Sequence, residues 1–264
     1  MLTIIDTPFL EKTLIDDLMN DRCAVLWCRS FIDPAEAMAI AEQITSRCEI
    51  TPYANIDESV GRVGQSLYET LGNDGQTRHD ILQSYLESRP AMLDRIRRAC
   101  APYEVPLERF YRLIDKFYGA ELATYNGREL FSGIVRVIPS GEDVVPHNDS
   151  FSRDVPELEI AREVDGQFAA NIYLRLPDEG GELQLWDLRP SDEELARIPM
   201  SEVGYGNDRH YFGQPDVHIR PKPGDLVCFR GNLMHGIARA GTGLRMNMNC
   251  FVARRKNGSL IYWS

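Results

Sequence analysis

The sequence predicts an α+β fold in which N-terminal helices pack on one face of a jelly-roll or cupin-like double sheet, a double-stranded β-helix. Three observations lead there. Helical periodicity dominates residues 1–130, short strand-like runs dominate residues 131–253, and the composition is that of a soluble globular chain. Its 264 residues, 43% hydrophobic and 26% charged, can bury a sizeable core and are read as one domain spanning 1–264.

In the first part, "FIDPAEAMAIAEQITSR" offers Asp33 as N-cap, Pro34 at N1 and Glu36 at N3. Ala37, Ile40, Ala41 and Ile44 follow at helical spacing. Further helices are predicted over 78–98 and 105–118, where Ile81, Tyr85, Leu93 and Ile96 repeat on one face. The stretch "TPYANIDESVGRVGQSLYETLGNDGQ", rich in Gly, Asn and Asp, reads as an irregular loop.

Eight strands are predicted after residue 131, in "GIVRVIP", "DVVPHND", "QFAANIYLRL", "GELQLWDL", "PDVHIRP", "DLVCFRG", "HGIARA" and "LRMNMNCFVA". Residues 188–214 break their rhythm as a long insertion, a length that in compact domains usually carries function.

Several function classes fall away. A net charge of −11 argues against nucleic acid, and Arg254, Arg255 and Lys256 read as a solvated turn. No apolar run approaches a membrane span, and "MLTIIDTPFLEK" lacks the features of a secretory signal. The six cysteines show no CxxC spacing and read as free thiols in a reducing cytoplasm. A small-molecule partner is expected, with a homodimer left open.

The chemistry-bearing stretch is "DVVPHNDSFS". His147 and Asp149 stand two apart, so on an extended chain they share a face. Alone the pair is weak: 5 His and 20 Asp in 264 residues give about 0.4 such matches by chance. His235 adds a second imidazole 88 residues later, and two His with one carboxylate form the facial triad of non-haem iron oxygenases. Arg245, ten residues further on, could reach such a site as a fork for a carboxylate. His218 and His210 read as structural rather than ligating.

In "VRVIPSGEDVVPHND", "IYLRLPDEGGELQLW" and "KPGDLVCFRGNLMHGIARAGTGLR" the chain resembles the Fe(II)/2-oxoglutarate-dependent dioxygenases, particularly the prolyl-4-hydroxylase-like branch with its small-molecule hydroxylase and halogenase relatives. The match spans about 131–253. The resemblance implies His147, Asp149 and His235 as iron ligands, Arg245 on the distal carboxylate of 2-oxoglutarate, and Tyr173 on the same group. Asn247 stands where the family often has Ser or Thr. It further implies O2 as cosubstrate, release of succinate and CO2, and hydroxylation of a C–H bond. In halogenase relatives Gly or Ala replaces the carboxylate ligand, so Asp149 argues for hydroxylation.

The N-terminal third matches nothing in the family pattern. Substrate contacts are therefore sought in Arg62 and Tyr68 of "VGRVGQSLYE", His210 of "YGNDRHYFG" and Trp263. The expected substrate is a small polar metabolite, an amino acid or derivative. A peptide hydroxylase and a non-catalytic cupin-like metal-binding module are the alternatives.

Overall fold

The computed structural model describes residues 1–53, 60–71, 78–156 and 158–264. Thirteen strands matter here: β1 Ile4–Thr7, β2 Val25–Cys28, β3 Thr51–Pro52, β4 Gly61–Val63, β5 Ile134–Ile138, β6 Val144–His147 and β7 Val164–Arg175. They continue as β8 Leu183–Leu185, β9 Val217–Ile219, β10 Leu226–Phe229, β11 His235–Ile237, β12 Arg245–Arg255 and β13 Leu260–Trp263. The helices are α1 Lys12–Met19, α2 Pro34–Arg47, α3 Arg78–Cys100 and α4 Pro106–Tyr118.

The result is mixed α/β with two main sheets. The larger, of ten strands, runs β1-β2-β10-β7-β12-β5-β4-β3, with β13 beside β12 and the two-residue strand Glu121–Leu122 beside β13. The smaller runs β9-β8-β11-β6. Strand β7 shows why they stack. Phe168, Ala170, Ile172 and Leu174 join the cluster that holds Ile40, Ala41 and Ile44 of α2. Ala169 and Tyr173 join Leu183, Leu185, Val217 and Ile219 of the small sheet. Period-two alternation thus splits one strand between a helix layer and a second sheet, and both faces are buried.

All eight predicted strands are present. The capping reading of α2 also holds: the Asp33 side chain accepts from the N–H groups of Ala35 (2.8 Å) and Glu36 (3.2 Å).

Three expectations need correction. The N-terminal part is less purely helical than predicted, because "IIDT" and "VLWC" form β1 and β2, and β2 pairs with β10. These apolar, β-branched runs are too short for a helix but suit a buried strand. Part of the predicted 51–76 loop is structured, since β4 pairs with β5 and Leu67–Leu71 forms a 3-10 turn. Residues 54–59 and 72–77 of that stretch lie outside the described residues. Finally, the sheet does not stop at residue 253, because β13 pairs with β12. Asp225 fastens the early strands: it is 2% exposed and accepts from Trp27 Nε1 (2.8 Å), Ser30 N (2.9 Å) and Lys222 N (2.9 Å).

The 188–214 insertion folds back onto β6. Asn207 N donates to Pro146 O at 2.8 Å, and Arg209 Nη2 donates to Val144 O (2.8 Å) and Ile237 O (2.9 Å). Gly206 makes this approach possible: its φ is +60°, and a Cβ would lie 2.7 Å from Val145 Cγ2 and 2.9 Å from Pro146 O. Among the described residues, no helix is long and apolar enough to cross a membrane.

Gly206→Ala is expected to destabilise the protein by about 1–3 kcal/mol, from left-handed backbone strain plus this clash. A thermal melt checks it; an unchanged midpoint would mean that the insertion does not depend on this contact.

Candidate metal and substrate site

Strands β6 and β11 pair antiparallel with His147 directly opposite His235. Their ring centroids lie 4.3 Å apart. Asp149, just past the end of β6, brings its carboxylate to 3.3 Å from His235 Nε2 and 4.0 Å from His147 Nε2. One ligand atom from each of the three lies within 4.8 Å of the others.

That spacing fits a metal. Ligands about 2.1 Å from an ion and at right angles to one another stand about 3 Å apart. Each imidazole is also turned correctly, with Nδ1 2.8 Å from a backbone carbonyl, Val145 O for His147 and Leu233 O for His235. A donating Nδ1–H leaves Nε2 as a lone-pair donor facing the cluster.

The electrostatics agree. Burial pushes His147 down to about 4, with the neighbouring His235 adding to the shift, so its imidazole is neutral near pH 7. Burial alone would raise Asp149, but its interaction with the neighbouring His235, with help from His147 and Arg136, holds its carboxyl below the usual range. Neutral imidazoles and an ionised carboxylate are the forms that ligate.

Arg245 lies behind the triad at 2% exposure, on β12. Its partners are all neutral: Nε donates to Gly181 O (3.0 Å), Nη1 to Asn247 Oδ1 (2.6 Å) and Nη2 to Tyr173 OH (3.3 Å). Asn247 Nδ2 in turn donates to Asn171 Oδ1 at 2.8 Å. Gly181 has φ +70°, and a Cβ there would sit 2.9 Å from Pro177 Cγ, so the 180–181 turn beside Arg245 requires glycine. Among the described residues no acid pairs with Arg245. A buried guanidinium without a counter-ion fits a dicarboxylate whose far end it would meet.

A cavity of about 280 Å³ opens in front of the triad. His147 and Asp149 line it, together with Tyr53, Leu67 and Tyr68 from the N-terminal part, Leu195, Tyr205 and Asn207 from the insertion, and Phe151, Phe251 and Trp263. Tyr68 and Trp263 therefore stand where substrate contacts were sought. Arg62 does not line the cavity: it donates to Thr51 Oγ1 (2.9 Å) and Gly64 O (2.9 Å) and pairs with Glu69 at 2.5 Å. His210 is exposed and outside the wall, while its neighbour Arg209 ties the insertion down. His218 is also exposed, and Arg175 leaves the face of Tyr173 across a bulge.

The sequence reading missed Arg136, Tyr53 and Tyr205. Arg136 had a signal: a lone charge inside the apolar run "IVRVI". The two tyrosines sit in segments without periodicity and offered none.

The fold and the His147/Asp149/His235 cluster agree with the resemblance to the iron(II)- and 2-oxoglutarate-dependent oxygenases. Within that class, the chain belongs to the carrier-protein-independent halogenase WelO5 family, whose model matches residues 12–264. A curated relative, L-isoleucine 3(1)-dioxygenase of Pantoea ananatis (strain AJ13355), is 24% identical over 144 residues, which are 53% of this chain and 48% of that protein. The chain thus spans about half the length of that relative. Among solved structures, an N-substituted L-amino acid dioxygenase from Burkholderia ambifaria AMMD shares the fold, with a TM-score of 0.68, 19% identity, and coverage of 96% of this chain and 91% of that one. The same enzyme in complex with alpha-KG gives a TM-score of 0.65 at 19% identity and equal coverage.

Proposed function

We propose that this chain is an Fe(II)- and 2-oxoglutarate-dependent hydroxylase acting on a small metabolite, an amino acid or derivative. The observation that carries it is the His147/Asp149/His235 cluster backed by a buried, acid-free Arg245. The two facing sheets are read as a double-stranded β-helix. The pairing of β2 and β13 into the large sheet supports one oxygenase domain across 1–264. Six free cysteines suit a reducing cytoplasm.

His147, Asp149 and His235 would hold the iron on one side, leaving the other side to cosubstrate and O2. Bound iron and 2-oxoglutarate supply oxidative decarboxylation to succinate and CO2, coupled to oxygen insertion into a C–H bond. Arg245 would receive the distal carboxylate of 2-oxoglutarate, with Tyr173 OH alongside. Asn247 would aim the guanidinium rather than touch the cosubstrate, because its Oδ1 already accepts from Nη1. Leu195, Tyr205 and Asn207 of the insertion line the cavity and would help to exclude water from it.

Asp149 favours hydroxylation within a family named for halogenation. A carboxylate at that position occupies the site that halide needs. The small cavity, walled by the insertion and the N-terminal segment, favours a free metabolite over a peptide, which would need an open groove. The acid-free Arg245 favours an enzyme over a cupin-like metal-binding module, which has no use for a buried guanidinium.

Substrate-dependent succinate release, followed by mass spectrometry over a panel of amino acids and their N-substituted forms, tests the reading. Arg245→Ala is expected to weaken 2-oxoglutarate binding about 100-fold or more, the scale of a lost bidentate charged contact. Unchanged affinity in that variant, with no succinate from any member of the panel, would sink the enzyme reading. Asp149→Ala is expected to abolish the hydroxylated product, and with chloride supplied it opens a halide position. Undiminished hydroxylation would mean that Asp149 is not a ligand.

A further inference from the structure

Arg136 poses a problem of charge. It sits in the middle of β5, a strand otherwise apolar, opposite Asn247 on one side and Arg62 on the other. It is half-buried, and it lines both the cavity in front of the triad and the inner recess that holds Arg245 and His235. Its one described hydrogen bond is from Nε to Tyr53 OH, a stretched 3.3 Å. Three other inward-turned arginines have acids, Glu69 for Arg62, Asp154 for Arg153 and Asp143 for Arg209, whereas Arg245 has three neutral oxygens. Among the described residues Arg136 has no such ion pair, and both its Nη groups lack a hydrogen-bond partner.

The Asp149 carboxylate acts on Arg136 only at longer range, and a half-buried cation without a contact ion pair is costly unless an anion arrives. The known charges leave one vacancy. Iron(II), the Asp149 carboxylate, the dianion of 2-oxoglutarate and Arg245 together neutralise one another. Arg136 is the surplus positive charge of the site, and it calls for one further monoanion. An apolar part of the cavity wall, Leu67, Phe151, Phe251 and Trp263, says what that anion carries, while the Arg153–Asp154 pair on the same wall is balanced internally.

Building on the function proposed above, we propose that Arg136, held by Tyr53, is the substrate-specificity residue that docks the carboxylate of a monocarboxylic substrate with an apolar body, such as a hydrophobic amino acid with a free carboxyl group. A guanidinium fork on a rigid strand fixes both the position and the plane of a carboxylate. The anchor sits beside the triad, so it determines which carbon of the substrate lies over the metal. A neutral ester of the same molecule would fill the apolar wall but leave the Arg136 charge unanswered.

The test uses the whole protein loaded with Mn(II) and 2-oxoglutarate, which binds substrate without turnover. Calorimetric titration compares L-leucine, L-isoleucine and their N-acetyl forms with the matching methyl esters. The wild type is expected to bind at least one acid about 10- to 100-fold tighter than its ester, the scale of a charge-assisted hydrogen bond. Arg136→Gln is expected to erase that preference, leave ester binding and the 2-oxoglutarate Kd unchanged, and be partly rescued by Arg136→Lys. A 2-oxoglutarate Kd that rises with the loss of Arg136 would assign the residue to the cosubstrate and overturn the proposal. So would a wild-type panel without any acid-over-ester preference, including one in which nothing binds. Failure of the oxygenase reading looks different: the wild-type protein would then take up no 2-oxoglutarate, and this inference would fall with it.

Discussion

The antiparallel pairing of Val144–His147 with His235–Ile237 sets the two imidazoles side by side, tilted to one another, and the rest of the molecule serves to hold that pairing in place. Strands of four and three residues cannot persist alone in water. They are kept by Leu183–Leu185 alongside, by the large sheet beneath, and by an insertion whose Arg209 bonds a carbonyl on each of the two. Once this frame exists, burial keeps the His147 imidazole neutral, and the groups around Asp149 hold its carboxyl ionised, the forms a metal requires.

A second constraint is the inner face of the large sheet. Tyr173, Asn247, Arg136 and Arg62 occupy directly paired positions on adjacent strands, a polar row across a sheet whose other face is apolar. Such a row is expensive unless every group finds a partner. Arg62 finds Glu69, and Arg245, one position along the same face, finds three neutral oxygens. Among the described residues, the guanidinium groups of Arg245 and Arg136 form no ion pair with an acid. One matches the cosubstrate of this enzyme class, and the other marks a place for a substrate anion.

Much of this was legible in the sequence because it rests on local rules. Short β-prone runs between turn residues located all eight predicted strands, Asp33 and Pro34 announced the start of a helix, and the two-residue spacing of His147 and Asp149 put both on one face. What escaped depends on distant partners. The strands at Ile4–Thr7 and Val25–Cys28 are defined by pairing with one another and with Leu226–Phe229, about 200 residues away in sequence. His210 looked interesting for its aromatic neighbours, yet Arg209 beside it does the anchoring, because only the folded chain shows which carbonyls lie within reach. Arg136 was visible as a charge among valines and isoleucines, but its meaning needed the census of acids around it.

The central claim is that His147, Asp149 and His235 hold one metal ion and Arg245 holds the far end of 2-oxoglutarate. A crystal structure of the protein with Mn(II) and 2-oxoglutarate, with anomalous scattering to locate the ion, tests this most directly. The account predicts a single ion bonded to both Nε2 atoms and one Asp149 oxygen, with the distal carboxylate on the Arg245 fork. An ion bound elsewhere, or 2-oxoglutarate ordered away from Arg245, would contradict it.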